Sequence, residues 1–496
     1  MDRNTADYTV GIDLGTSNSC IAVWRNGMAE IIEMPGDQRV LPSVVTFPDK
    51  DSDPVVGQAA INESERVPQW CFDRVKLLMG MRWHEGEDTG GKTVEGFDGF
   101  TWLRGPDRNY SPSEIAAFLI ITMLDAAEAK LGVRPTGAIM TVPAGFDGLQ
   151  EQAVRKAAHL AGLRPDRVEL LQEPTAAALA HGYLLTKFAT LAIYDLGGGT
   201  YDISINQAGK KGVAVLGADG NAKLGGTNFD DRLVGHAVRG FFTKHKVDLG
   251  TREETMDRIR MAAEAAKKEL TDSPKSAIRV QYVDTTGPDG ILELDEAVTR
   301  EEFEALVSDL VGQTIDICKR AMAQGKVLKT DIDDVILVGG MTHVPCVREA
   351  VTAFFGKKPR LDINPKEVVA IGAAIHAAVR DGRTDAVKLS NRISHSLGLE
   401  TMANRVFEVF PKGTPFGVEK TVIVTSDEDN QAKLSVYVRQ GGDLRADKNV
   451  ILGREHFDIE PAPAGEPSLE VTFRVDEQGV IEVRHGDVAI FEGTNV

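Results

Sequence analysis

The sequence predicts an α/β protein of two duplicated lobes over residues 1–383, then a linker over 384–393 and an all-β sandwich over 394–496. Three observations lead there. A strand–turn–strand unit with Asp-Leu-Gly in its turn occurs twice, at Asp13-Leu14-Gly15 and at Asp195-Leu196-Gly197. Strand and helix patterns follow each of these units. Beyond about Asp381 long helical patterns stop and strands of period two dominate. A chain of 496 residues has room for about three or four folding units, so this division fits its length.

In chain order, residues 8–12 read as a strand running into Asp13-Leu14-Gly15-Thr16-Ser17-Asn18-Ser19, with residues 20–24 as the return strand. A short turn of Gly, Asx and Ser residues makes this a hairpin. Ser111-Pro112-Ser113-Glu114 is a capping box with Pro at the first helical position, which predicts a helix to Leu131 stopped by Gly132. Residues 148–161 and 174–185 also read as helices. The hairpin grammar returns over 191–205, around Asp195-Leu196-Gly197-Gly198-Gly199-Thr200. At so long a spacing the repeat indicates two related domains rather than a solenoid. A charged helix covers 253–270, and residues 335–338 form a buried strand, stopped by Gly339-Gly340 and followed by a helix from about Val344. Asp381-Gly382-Arg383-Thr384-Asp385 is polar and turn-like, a domain boundary. In the tail, Leu434, Val436 and Val438 alternate with polar or amphipathic neighbours, as do Leu469, Val471, Phe473 and Val475. That predicts antiparallel strands with one buried face.

Net charge is −18, from 74 acidic and 56 basic residues. A phosphate backbone or an anionic bilayer selects basic surfaces, so neither nucleic acid nor a membrane is expected as the main partner. The longest apolar stretch, 115–124, is too short to span a bilayer. Cys20, Cys71, Cys318 and Cys346 include no Cys-x-x-Cys pair, so no disulfide framework or zinc site is expected. Reduced thiols and a polar N-terminus make the cytoplasm the expected location. The 49 glycines are close to one residue in ten, against a usual share of about 7%. They imply many turns or backbone that must approach a ligand.

The two Asp-Leu-Gly hairpins offer a place for such a ligand. Without Cβ, the backbone of Gly15 and of Gly197, Gly198 and Gly199 can bring N–H groups to phosphate oxygens. Thr16, Ser17 and Thr200 add hydroxyl donors, with Asn18 in the same turn. Asp13, Asp195 and Asp202 supply oxygen ligands for Mg²⁺, directly or through its retained waters. One glycine-rich turn is weak testimony. Two copies with flanking acids, gripping a polyphosphate from opposite sides, point to nucleotide binding.

With these loops, Gln172-Glu173-Pro174-Thr175-Ala176-Ala177-Ala178, Leu224-Gly225-Gly226-Thr227-Asn228-Phe229-Asp230, Val338-Gly339-Gly340-Met341-Thr342 and Ala370-Ile371-Gly372-Ala373-Ala374 closely resemble the 70-kilodalton heat-shock chaperone family (DnaK-type). The tail resembles that family's peptide-binding β-domain through Ser396-Leu397-Gly398-Leu399-Glu400-Thr401, Asp429-Asn430-Gln431, Pro461-Ala462-Pro463 and Glu470-Val471-Thr472-Phe473. The resemblance implies an actin-like ATPase of two lobes that takes ATP or ADP with Mg²⁺ in its cleft. Lys76 would reach the γ-phosphate, Glu173 orient the attacking water, and Asp13, Asp195 and Asp202 hold the magnesium shell, either of the last two accepting a proton. Gly225 and Gly226 belong to the same nucleotide-site motifs. Glu264, Lys267 and Lys268 would face the adenosine from one side of a helix that pattern alone makes an exposed charged face. Gly339, Gly340 and His343 would line the base. His343 stands where the family usually has an arginine, and Lys366 where it often has an acid. Extended apolar peptide would bind at Leu399, Met402, Val424, Leu434, Val436 and Ile459, which periodicity alone places in a sandwich core. Asp427 replaces a small residue there. Unfolded polypeptide, a J-domain co-chaperone and a nucleotide exchange factor are the implied partners.

Several departures bear on how such a machine would run. The linker stretch Val387-Lys388-Leu389-Ser390-Asn391 interrupts an apolar run and drops its terminal acid. Glu151 and Glu169 reverse the charge of family arginines at the coupling face, and no helical lid is read. The leading expectation is therefore an ATP-hydrolysing chaperone with weakened coupling and fast peptide exchange. A specialised ATP-switched interaction module with a dedicated partner is the alternative. A sugar or acetate kinase of the actin-like superfamily would leave the β-domain without a role.

Overall fold

The computed structural model describes residues 8–64, 66–84, 92–185, 187–209, 212–250, 252–287, 290–360, 363–384, 388–390, 393, 395–466, 468–476 and 480–494. The first sheet contains β1 (Thr9–Asp13), β2 (Asn18–Arg25), β3 (Met28–Ile31), β4 (Gly137–Val142) and β5 (Val168–Gln172), in the order β5-β4-β1-β2-β3. The β1–β2–β3 meander is antiparallel, while β4 and β5 join in parallel. β1, β4 and the middle of β2 are buried almost throughout, as expected of central strands covered by helices. α1 (Pro112–Leu131) starts on the expected capping box: the Ser111 hydroxyl and the Glu114 carboxylate satisfy each other's backbone N–H groups, and Gly132 ends it in the left-handed region. α2 (Gly148–Leu160) is capped likewise by Asp147 and Gln150.

The second sheet repeats the plan. β6 (Ala189–Leu196), β7 (Tyr201–Gly209) and β8 (Gly212–Asn221) form an antiparallel meander, and β9 (Asp334–Val338) pairs with β6 in parallel. The internal duplication read from the two Asp-Leu-Gly turns is therefore a duplication of topology. α3 (Glu173–Leu184) is followed in the second lobe by α4 (Gly226–His245), α5 (Glu253–Asp272), α6 (Arg300–Gly325), α7 (Pro345–Phe355) and α8 (Val368–Arg380). α3 and α8 cross between the sheets on small residues, Ala176, Ala177 and Ala180 facing Ala373 and Ala377 in one core. Gly372 marks the crossing: a Cβ there would lie 1.8 Å from the Ala176 carbonyl oxygen, so only glycine fits.

The stretch expected to be a linker contributes a strand. β10 (Lys388–Ser390) adds to the edge of the second sheet, parallel to β8, with Gly212 opposite Lys388 and Ala214 opposite Ser390. Val387 and Asn391 lie outside the described residues. Beyond it, two four-stranded sheets follow. One has β11 (Leu397–Thr401), β12 (Arg405–Phe410), β14 and β15; the other has β13 (Val418–Thr425), β16, β17 and β18. Here β14 is Lys433–Gln440, β15 Val450–Asp458, β16 Ser468–Val475, β17 Val480–His485 and β18 Val488–Thr494. Leu434, Val436 and Val438 face Val471, Phe473 and Val475 in a shared core, as their alternation predicts. Among the described residues no helix is long and apolar enough to cross a membrane.

Candidate nucleotide cleft

The two Asp-Leu-Gly turns meet. A Cβ on Gly198 would lie 2.2 Å from Ser17 Oγ, so the second loop closes on the first by way of a bare glycine backbone. Behind the second loop, the Gly226 and Thr227 N–H groups donate to the carbonyls of Gly197 and Gly198 at 3.0 and 2.8 Å. Thr200 is buried, and its carbonyl accepts from Gly197 N–H at 3.0 Å, closing the turn. Thr16 is buried too, whereas Asn18 is exposed at the start of β2. Ser43 supports the first loop: its Oγ donates to the Gly15 carbonyl at 2.8 Å and its N–H to that of Ser17 at 2.9 Å. Nothing in a Pro-Ser within a short apolar run announces that role.

Among the described residues, four acids and one lysine face this junction. Asp13 ends β1, and Asp195 and Asp202 stand directly opposite each other in the β6–β7 ladder. Glu173 opens α3, and Lys76 lies in the tight turn Val75–Leu78, entered through Arg74 at φ 54°. Lys76 Nζ and Glu173 Oε1 form a buried ion pair. Burial works against the Lys76 charge, but Glu173, Asp13 and Asp195 outweigh it and its pKa is raised. Burial first, then Glu173, lifts Asp13 to about 7, against Lys76 and a 3.0 Å hydrogen bond from Thr141 Oγ1. Burial first and Glu173 second also lift Asp202 to about 8, although backbone N–H groups of Gly145 and Ala144 reach it. Asp195 is raised well above its usual range by burial, then by Glu173, Asp202 and Asp13.

Such a set is short of positive charge. Asp202 Oδ1 is buried with no hydrogen-bond partner, which an oxygen-seeking cation or its water would satisfy. Among the described residues no three His, Cys, Asp or Glu side chains converge on one metal position.

On the side expected to face adenosine, the charged face of α5 divides. Lys268 is exposed and pairs with Glu264 at 2.9 Å. Lys267 is not on an exposed face: it is buried, 2.8 Å from Asp230 Oδ1 on α4 and 3.3 Å from the Gly226 carbonyl. Consecutive residues point about 100° apart on a helix, so one of the pair turns inward. Burial raises Glu264 less than Lys268, Lys267 and Arg74 lower it, and its pKa ends below the usual value. Gly339, at φ 82°, brings its turn against the end of β6, where a Cβ would meet the Leu196 carbonyl at 2.3 Å and Asp195 Oδ1 at 2.7 Å. Gly340 and His343 bound the short turn that follows. Among the described residues, ion pairs join first-lobe residues to α4 and α5: Lys92 to Asp257 on α5 at 3.1 Å, and Arg74 to Asp230 on α4 at 3.8 Å.

The Hsp70 protein family model matches residues 9–492. The chain belongs to the Hsp70 family. Its two duplicated sheets are the actin-like ATPase lobes, and its strands from Leu397 onward form the β-sandwich. Members of the Hsp70 family are chaperone ATPases that bind ATP or ADP with Mg²⁺, unfolded polypeptides and co-chaperones.

In this Hsp70 the residues expected to hold peptide do not share one environment. Leu399, Leu434 and Val436 are buried in the sandwich core, Val424 and Ile459 are half-buried against it, and Met402 is 66% exposed on the turn after β11. The sandwich rests on the first lobe through α2. Gly148 N–H donates to the buried Gln440 Oε1 at 2.9 Å, and Gln152 Nε2 donates to the Glu492 carbonyl at 3.3 Å. Glu151 is buried on the same helix. Glu169 is engaged within the ATPase region, by His376 Nε2 at 2.6 Å and Arg380 at 3.6 Å on α8. A cavity of about 450 Å³ sits at the junction of both lobes and the sandwich, bordered by Gln172, Asp219, His395 and Lys412.

Proposed function

We propose that this Hsp70 hydrolyses ATP between its lobes and uses the cycle to bind and release extended apolar segments of other polypeptides. The observation that supports this most is the buried Lys76–Glu173 pair, set among Asp13, Asp195 and Asp202 where two glycine loops touch. Lys76 would stabilise the charge that develops on a transferred phosphoryl group, and Glu173 would orient the attacking water. Asp13, Asp195 and Asp202 are the residues that would hold Mg²⁺, and Asp195 or Asp202 would take the water's proton. When bound, Mg²⁺ neutralises phosphate oxygens. Gly15, Thr16, Ser17, Asn18, Gly197, Gly198, Gly199 and Thr200 would cradle the phosphates, with Gly225 and Gly226 behind them. Glu264, Lys267, Lys268, Gly339, Gly340 and His343 would take the adenosine. Single-turnover hydrolysis of radiolabelled ATP with Mg²⁺ and no other substrate tests this reading. No phosphate release by a protein that binds ATP would overturn it.

Residues 1–383 would form the ATPase unit, 384–393 the linker and 394–496 the peptide unit. Weakened coupling remains the expectation from Glu151, Glu169 and the interrupted linker. The alternative, an ATP-switched module with one dedicated partner, draws on Glu169, whose carboxylate is already taken by His376 and Arg380. Recovery of one stoichiometric partner, rather than many unrelated clients, in pull-downs with ATP and ADP would favour the module.

A further inference from the structure

The turn that starts at Gly339 carries an interaction that no motif in the sequence marks. Its first residue presses on Asp195 at the phosphate end of the cleft. Its middle reaches α4: a Cβ on Gly226 would meet Met341 Sδ at 2.9 Å and Lys267 Nζ at 3.1 Å. The turn then leads away from the phosphate pole to His343, which feels the charge of Asp272 at the end of α5. Arg348, in the first turn of α7, folds back onto this turn. Its Nε donates to the Thr342 carbonyl at 2.7 Å, and its Nη2 lies 2.9 Å from His343 Nδ1.

A guanidinium has donors and no acceptor. A 2.9 Å contact with Nδ1 therefore requires that nitrogen to accept, which puts the imidazole proton on Nε2 and leaves the ring neutral. An imidazolium would set two N–H donors against each other. The groups facing the ring point the same way. Among the described residues, Arg348 on α7 and Lys366 in the loop before α8 are cations, and Asp272 on α5 opposes them. Burial, then Arg348, then Lys366 hold the His343 pKa below its usual value.

We propose that Arg348 is a positioning residue that holds His343 as a neutral Nε2–H tautomer at the base end of the nucleotide cleft, so that the base meets an uncharged ring with one outward donor rather than a cation. The proposal rests on the nucleotide reading of the cleft for its ligand, but not for the state of the ring. Removing Arg348 frees Nδ1 and lifts one cation from the ring, so His343 then titrates nearer neutral pH.

The test compares MgADP affinity by calorimetry between pH 5.5 and 8 in the full chain. His343→Phe serves as the reference at each pH, because it keeps a ring with nothing to titrate and cancels the pH dependence of the cleft carboxylates. The unsubstituted protein should keep a constant ratio to His343→Phe from pH 6 to 8. Arg348→Met should bind about three- to tenfold more weakly at pH 8, the scale of one lost hydrogen bond. It should then gain on the reference as pH falls and the ring becomes cationic, while Arg348→Lys restores most of the flat ratio. The double variant Arg348→Met/His343→Phe should parallel the reference. In parallel, ¹⁵N shifts of selectively labelled histidine should give His343 the Nε2–H pattern, moving in Arg348→Met toward that of a titrating, tautomer-averaged ring. An Nδ1–H pattern in the unsubstituted protein, or an Arg348→Met profile identical to it, overturns the proposal. Failure to bind MgADP at all would sink the nucleotide reading instead, and the ¹⁵N pattern would still decide the role of Arg348.

Discussion

Lys76 and Glu173 form an ion pair that solvent scarcely touches, joining a tight turn of the first lobe to the first residue of α3. Lys76 is also the cation that acts against the raised pKa values of Asp13, Asp195 and Asp202. Lys76→Ala should lower the hydrolysis rate by about 10²–10³-fold, the range for loss of one transition-state donor in a dry site. ATP binding should survive, because the glycine loops and the α5 face remain. Single-turnover rates and fluorescent-ATP titration separate the two effects. Unchanged turnover would remove Lys76 from the chemistry.

The acids predict how pH acts on the nucleotide-free protein. Asp13 is raised to about 7 and Asp202 to about 8, while in the unfolded chain both ionise near pH 4. Between about pH 4 and 8 the native state therefore binds more protons than the unfolded state, and stability falls as pH rises through that window. MgADP should reverse the trend, since its positive ion favours the ionised acids and its binding releases protons. Melting temperatures from pH 5 to 8.5, with and without MgADP, should show the ligand's gain growing with pH. Asp202→Asn should flatten the nucleotide-free profile; an unaltered profile would mean that Asp202 is already ionised.

What could be read in advance was local. The Ser111–Glu114 capping box, the two Asp-Leu-Gly turns and the period-two strands each depend on residues a few positions apart, and each appears where expected. Lys267 and Lys268 are indistinguishable by pattern. Asp230 and the Gly226 carbonyl, both on another helix, mark which of them is buried. The same holds for Gln440 on Gly148, 292 positions away, and for Lys92 on Asp257. Leu399, Leu434 and Val436 show a different limit, since a sandwich core and a peptide pocket demand the same alternation.

Lys92 and Asp257 tie a first-lobe segment to α5 on the second lobe, both side chains about three-quarters buried. Such a partly shielded pair contributes about 0.5–1 kcal/mol. If nucleotide leaves by lobe opening, Lys92→Ala should speed release of a fluorescent ADP about two- to fivefold, with the effect shrinking at high salt. Lys92→Asp with Asp257→Lys should recover the slow rate. If the double exchange stays as fast as the single variants, the pair does not act across the opening.

Gln440 ends β14, the strand that also carries Leu434 and Val436, and its buried Oε1 accepts from the first N–H of α2. That helix follows a loop whose Ala144 and Gly145 N–H groups reach the Asp202 carboxylate. A continuous run of backbone therefore joins an acid of the cleft to the sandwich, and β10 on β8 adds a second attachment. Replacing Gln440 by Ala leaves the Gly148 donor buried without that acceptor, a cost of about 1–3 kcal/mol charged only to the docked arrangement. Basal hydrolysis should change less than twofold, while ATP-triggered release of a fluorescent apolar peptide should slow by about tenfold. If the unsubstituted protein shows no ATP-triggered release, the contact is static and the two units are uncoupled. If it does and Gln440→Ala retains it in full, coupling runs through β10 or elsewhere.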